Sequence, residues 1–243
     1  MAYPYQPQPS ASAPITAYPY QPQPMAYPCQ PQPSASAPPM PVLPTTIICP
    51  QYCDPYPVNL AVVKKSYIYQ MSGSAPVTIA DNLTITDVND NIVFTVFTLG
   101  DHRLLVDAAR NPIITLRRKI LTMHDRWEAY RGQSTNAKNM IFTVKRSSLI
   151  QFKTKLDVFL AGNTKEDVCD FKVKGSWSER SCIVYAGESN NIVAQMHKKN
   201  TVTNILIDKD HFMVKVCPNV DYAFIVALIV ILGEIKDGTK GSN

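Results

Sequence analysis

From Asn59 onward, short apolar stretches rich in Val, Ile, Thr, Tyr and Phe alternate with turn signals. The spacing, roughly 8–12 residues, predicts an antiparallel sandwich or barrel. Four hairpins stand out. Leu83–Thr86 and Ile92–Phe97 flank residues 87–91, and Arg103–Asp107 and Ile113–Leu116 flank 108–112. Cys182–Tyr185 and Ile192–Gln195 flank 187–191, and Val202–Ile207 and Phe212–Val216 flank 208–210. Strand-like runs at 127–130, 140–144, 155–160 and 171–173, with two more before Pro76, bring the expectation to about a dozen strands.

The most apolar run, Ala223–Leu232, is ten residues long and closes on Gly233 and Glu234. Crossing a bilayer takes ~20 residues, so the run belongs inside a protein core. Five of its ten residues are β-branched, which favours a strand buried on both faces. The strand count favours a helix. A barrel of more than roughly eight strands has a lumen to fill, and a helix ~10–12 Å wide fits it. Asn219 would then be the N-cap, with Asp221 in the first turn. The residues alone leave both readings open.

Composition divides the chain. Seventeen of the 20 prolines lie in residues 1–57, a stretch whose single formal charge is Asp54. Residues 1–14 recur almost unchanged at 25–38, with little besides tyrosine and alanine that is apolar between the prolines. Such a repeat has no apolar face for neighbours to bury, so it predicts an extended, polyproline-like tail. The tail is either a ligand or spacer for protein partners or a low-complexity leader. The expected division is a disordered tail over 1–57, one barrel domain over 58–237 and a flexible C-terminus over 238–243. The N-terminus lacks the basic and apolar regions of a secretory signal, which predicts an intracellular protein. Cys169, Cys182 and Cys217 then read as reduced, buried, small hydrophobes, and the Asn82-Leu83-Thr84 sequon as unused.

The chain carries a net charge of +5, and all 24 Lys and Arg lie after Pro57. Between Arg103 and Lys155 there are twelve Lys/Arg against three acids, Asp107, Asp125 and Glu128. Residues two apart on a strand share a face, so Arg117/Lys119, Lys153/Lys155 and Lys172/Lys174 predict outward basic pairs. Lys145 and Arg146 would add a fork for phosphate, and Arg118 sits within the same run. Each basic residue beside an anionic membrane is worth ~1 kcal/mol. The competing reading is an ordinary solvated face with lysines guarding strand edges.

Catalytic signatures are missing: the sequence has no dinucleotide or P-loop fingerprint, no Gly-x-Ser-x-Gly elbow and no His-Glu-x-x-His. His124-Asp125-Arg126 invites acid–base chemistry, but neighbours on a strand point to opposite faces, so a salt-bridged role is expected. Asp87–Asn91 mimics the start of a calcium loop, yet Ile92 and Thr98 occupy the positions that need Gly and Glu. It predicts a hairpin turn. Neither a metal nor a cofactor is expected, and the chain reads as a non-enzyme.

Ten blocks in order over residues 52–224 resemble the plant LURP-one-related family. They include Tyr52-Cys-Asp-Pro-Tyr-Pro57, Met123-His-Asp-Arg-Trp127, Phe142-Thr-Val-Lys-Arg-Ser-Ser148, Lys153-Thr-Lys-Leu-Asp-Val-Phe159, Val184-Tyr-Ala-Gly-Glu-Ser189 and Asn219-Val-Asp-Tyr-Ala-Phe224. The resemblance implies the tubby C-terminal-like fold shared with phospholipid scramblases: a mainly β, twelve-stranded closed antiparallel barrel threaded by a hydrophobic C-terminal helix. Tyr222, Phe224, Ile225, Leu228, Ile229 and Leu232 would belong to that helix. Asp90 departs from the family, which usually has Gly there; Asp tolerates the left-handed conformation better than most residues, so the hairpin should survive. The resemblance further implies a monomer that binds anionic phospholipid headgroups, phosphoinositides above all, and acts as a membrane-tethered regulator in pathogen defence. Its compartment would be the cytoplasm, at the plasma-membrane face or in the nucleus. The alternatives are a scaffold that recruits partners through the tail, and nucleic-acid binding through the basic patch.

Overall fold

The computed structural model describes residues 46–66, 81–119, 125–147, 154–198 and 211–238. Twelve strands follow one another: β1 (Val58–Ser66), β2 (Asp81–Thr86), β3 (Ile92–Leu99), β4 (His102–Asp107), β5 (Pro112–Lys119), β6 (Arg126–Arg131), β7 (Met140–Arg146), β8 (Thr154–Leu160), β9 (Phe171–Ser176), β10 (Ser181–Ala186), β11 (Ile192–Lys198) and β12 (His211–Val216). Each pairs antiparallel with the next, and β1 closes on β12, leaving no open edge. Alternation sets the two faces. Leu116, Ala129, Phe142 and Leu160 form one cross-strand row toward the lumen, and their neighbours Arg117, Glu128, Thr143 and Phe159 form the next row outside. Val202–Ile207 lie outside the described residues. Both edges of β12 are occupied, by β11 and β1.

The predicted hairpin over residues 87–91 forms between β2 and β3. Asp87 accepts from the backbone N–H groups of Asn89 and Asn91 and from the Asn91 amide, at 2.8–2.9 Å. Asp90 takes the left-handed conformation, φ 62°, and Arg110 does the same at 69° in the equivalent turn between β4 and β5. In the β9–β10 hairpin, Gly175 has φ +150°, and a Cβ there would lie 2.2 Å from the Ser181 carbonyl oxygen. Only glycine fits.

The C-terminal run is a helix, α1 (Tyr222–Gly238), along the barrel axis. Every residue from Ala223 to Leu232 is at most 2 % exposed. A helix apolar on all sides is stable only when surrounded, and here the strands surround it. It also settles the choice left open by β-branching. A helix satisfies its own backbone, whereas a lone strand in the lumen would leave its N–H and C=O groups unpaired. Phe224 wedges between Phe142 and Phe171, ring centroids 5.1 and 4.9 Å away. At the far end Gly233 admits the Trp177 ring, Arg103 clasps Glu234 through two bonds of 2.6–2.7 Å, and Arg180 stacks over Trp177 and Phe212.

Two sequence expectations need correction at the near end. The helix cap is Asp221, whose Oδ1 accepts from Phe224 N at 3.1 Å; Asn219 is exposed, in a left-handed turn. Residues 46–57, assigned to the tail on proline content, pack against the barrel as a strap. Asp221 Oδ2 accepts from three consecutive strap amides, Ile47 at 3.2 Å, Ile48 at 2.7 Å and Cys49 at 3.1 Å. Ile48 and Tyr52 are buried, and Tyr52 packs edge-on against Phe94 and Tyr222. Aliphatic and aromatic burial outweighs the local proline preference. The Asp221 carboxyl is fully buried; desolvation raises its pKa against the pull of the four amides.

Candidate functional site

The described cations singled out in the sequence lie on β5, β7, β8 and β9, which with β6 are five successive strands. Their outward row runs Lys119, Arg126, Lys145, Asp157, Lys172 in direct register. Arg117 and Lys119 do share a face, as alternation predicts. They do not project as free charge. Arg117 Nη2 donates to Glu128 at 2.8 Å and to the Tyr130 hydroxyl at 2.6 Å, and Lys119 reaches the other Glu128 oxygen at 3.4 Å. Tyr130 in turn donates to Glu128 at 2.6 Å. Burial alone would raise the Glu128 pKa, but these donors and the charge of Lys119 outweigh it and hold the carboxyl below its ordinary value. Burial and the bond to Glu128 push the Tyr130 hydroxyl up to about 12.

Glu166 pairs with the next two cations. It reaches from the β8–β9 loop, in a left-handed conformation of φ 55°, to pair with both Arg126 and Lys145. Desolvation opposes its ionisation, yet those two charges and Thr143 keep its pKa lowered. Lys172 pairs with Glu188 of the β10–β11 loop, which also accepts from the buried Cys169 thiol at 3.2 Å. Burial first, then the bond to Glu188, pushes that thiol up to about 12. Cys169, Cys182 and Cys217 are all buried and none is in a disulfide among the described residues.

Arg118 and Arg146 depart from the expected patch. They share parity with Trp127, Val144 and Leu156, so they sit on the lumen-facing rows at the rim. Both pair with Asp125, Arg146 at 3.6 Å. Lys145 and Arg146 therefore point to opposite faces and form no phosphate fork. Within His124-Asp125-Arg126, Asp125 and Arg126 are bound in separate ion pairs, and His124 lies outside the described residues.

Lys155 and Lys174 behave differently. They are direct cross-strand partners on β8 and β9, and neither forms an ion pair with a carboxylate among the described residues; Glu188, paired with Lys172, feels the Lys174 charge at longer range. Lys174 Nζ lies 4.9 Å over the Tyr185 ring. Lys153, expected to extend this pair, is outside the described residues. Of the proposed helix residues, Phe224, Ile225, Leu228, Ile229 and Leu232 are buried in the core and Tyr222 is half-buried at its mouth. Among the described residues no cluster of His, Cys, Asp or Glu could hold a metal ion, and no helix is long and apolar enough to cross a membrane. Sequence reasoning missed Glu166 and Glu188, because both reach their cations from loops, across strand boundaries that no residue spacing reveals.

A closed twelve-stranded antiparallel barrel plugged by its own apolar C-terminal helix defines a protein of the tubby C-terminal-like class. The LURP-one-related family profile matches residues 68–233, and the chain belongs to that family. It is 50 % identical over 203 residues to Protein LURP-one-related 15 of Arabidopsis thaliana, covering 82 % of this chain and 89 % of that one. It is 48 % identical over 193 residues to Protein LURP1 of the same plant, covering 79 % and 91 %. A crystal structure of an Arabidopsis thaliana protein matches with a TM-score of 0.60 at 44 % identity, over 79 % of this chain and 99 % of the other.

Proposed function

We propose that the barrel is a non-enzymatic module that docks on anionic lipid headgroups, phosphoinositides in particular, at the cytoplasmic face of a membrane. There it tethers or regulates rather than turning over a substrate. One observation carries the reading: Lys155 and Lys174 face each other across β8 and β9 and neither is in ion-pair contact with a carboxylate among the described residues, Glu188 feeling the Lys174 charge only at longer range while it pairs with Lys172. Like charges directly opposite destabilise a sheet, and an anion between them removes that cost. The charge distribution along the barrel supports the same direction. Asp87, Asp90, Asp107, Asp167 and Asp170 lie in or beside loops at the end where α1 begins, whereas Lys155 and Lys174 lie toward the other end. Such a dipole orients the basic end toward a negative surface. A lumen filled by α1 favours binding over catalysis. Family kinship extends the proposal to a regulatory part in pathogen defence.

Co-sedimentation with phosphatidylcholine vesicles, with and without phosphatidylinositol 4-phosphate, tests this. Two cations at ~1 kcal/mol each predict that K155E/K174E loses at least about thirtyfold in affinity for the charged vesicles. Added salt should weaken the wild type. Indifference to the headgroup or to the substitutions refutes the proposal. Binding of duplex DNA with a steep salt dependence, in place of vesicles, would favour the nucleic-acid alternative.

A further inference from the structure

At the end of the barrel where α1 begins, the strap, the β6–β7 connection and the start of the β8–β9 loop enclose an open hollow of about 400 Å³. Its walls include Thr46 and Ile47 of the strap, Arg131 at the end of β6, Lys138 and Asn139 of a short 3-10 turn, and Gly162 beyond β8. No Asp or Glu lines it. This reverses the rule on the barrel flank, where Arg126, at the other end of the same strand as Arg131, is neutralised by Glu166. Arg131 and Lys138 form no ion pair among the described residues. Arg131 Nη1 donates to the Ile48 carbonyl at 2.8 Å, which anchors the guanidinium to the strap and leaves its other N–H groups for a second acceptor. Asp170, the acid of the flanking loop that reaches Leu160, is engaged by Leu160 N at 2.8 Å and by the Asn163 amide at 2.9 Å.

A hollow of ligand size with one anchored guanidinium, one ammonium and no acid suits a doubly charged anion. The geometry points to a binding site for a phosphate ester, whose charge of about −1.5 to −2 matches both cations. A monocarboxylate would leave one cation uncompensated. A soluble sugar or nucleoside phosphate and a lipid phosphate share this chemistry. The strap is one wall, so occupancy also ties down residues 46–49. The site is separate from Lys155 and Lys174, which lie toward the opposite end of the barrel.

Titration of the ¹⁵N-labelled full chain with glycerol 3-phosphate tests the inference. Saturable shifts are expected at the amides of residues 46–49, 138–141 and 160–162. R131Q/K138Q should weaken binding by about tenfold or more, the loss of charge-assisted hydrogen bonds, and K155Q/K174Q should leave it unchanged. K138Q alone touches an exposed side chain and keeps the fold, so it should show part of the loss. Adding vesicles of phosphatidic acid separates the sources. Competition that needs Arg131 and Lys138 identifies a lipid, and binding of the soluble ester without competition identifies a soluble ligand. Absence of saturation in the millimolar range, or equal shifts in R131Q/K138Q, overturns the inference whatever the fate of the vesicle experiment on Lys155 and Lys174.

Discussion

Asp221 is the residue on which two distant parts of the chain depend, and its removal has a calculable cost. One oxygen caps α1 through Phe224 N, and the other holds three consecutive strap amides from residues 172–174 positions earlier. Asp221→Ala deletes a helix cap worth ~1 kcal/mol. It also strands the buried Ile48 amide, at ~1–3 kcal/mol, and two part-buried amides that water can partly satisfy. Peeling the strap away is no cheaper, because it exposes Ile48 and Tyr52, each worth ~1.5–3 kcal/mol of burial. The expected loss is about 3–5 kcal/mol, or roughly 10 °C in Tm for a domain of this size. Asp221→Asn keeps one acceptor oxygen and turns its amide donors toward either the strap or the cap, so it should lose about half as much. Guanidinium unfolding followed by the fluorescence of Trp127 and Trp177 gives the free energy, and hydrogen exchange at Ile47–Cys49 reports the strap. If Asp221→Ala costs under about 1 kcal/mol and those amides keep wild-type protection, the carboxylate is not the clasp.

Four further outcomes follow from the same geometry. Gly175→Ala drives a Cβ to 2.2 Å from the Ser181 oxygen and 2.4 Å from Cys182 Cα, both backbone atoms, so chemical denaturation should show a loss of ~3 kcal/mol or more. Gly162→Ala, with nothing within 4 Å of the new atom, should be near neutral by the same measurement. Leu228→Ala empties part of a lumen that cannot collapse and should cost ~2–5 kcal/mol on the same unfolding curve. Glu128 and Glu166 have folded pKa values lowered from an ordinary 4.5, so their contribution is full above that value and is lost as pH falls through the lowered ones. Urea midpoints should therefore drop on acidification, and E128Q/E166Q should flatten that drop. Asp221, raised rather than lowered, contributes with the opposite sign.

The strand pattern was legible because a closed sheet with a wet outside and a dry inside imposes period two on nearly every strand. Leu116, Ala129 and Phe142 alternate with Arg117, Glu128 and Thr143, and no long-range knowledge is needed to see it. The strap was not legible. Ile47, Ile48 and Tyr52 sit among prolines and look like tail until Asp221, more than 170 residues away, supplies acceptors for their amides. Asn219 was a reasonable cap by local rules, and the same distant contact moves the cap to Asp221. The basic patch was half legible. Parity placed Arg117 with Lys119 correctly, but counting charges along the chain grouped Arg118 and Arg146 with cations on the other face.

Ion pairing explains why a run so rich in Lys and Arg leaves few of its described cations without a carboxylate partner. In a barrel each outward side chain has two strand neighbours and the loops above or below. A carboxylate in such a loop, like Glu166, can serve cations on two strands at once. Net charge along the sequence therefore overstates the field at β5 to β7, where Glu128, Glu166 and Asp125 together engage Arg117, Arg118, Lys119, Arg126, Lys145 and Arg146. It understates the positions where pairing stops. Lys155 and Lys174 on one flank, and Arg131 and Lys138 beside the strap, form no ion pair among the described residues and are where an outside anion would compete least with internal carboxylates. Recognition of an anion by this family member should thus respond to substitutions at those four residues. It should be almost indifferent to charge-neutral swaps such as Arg103→Gln with Glu234→Gln, which remove a pair already closed on itself.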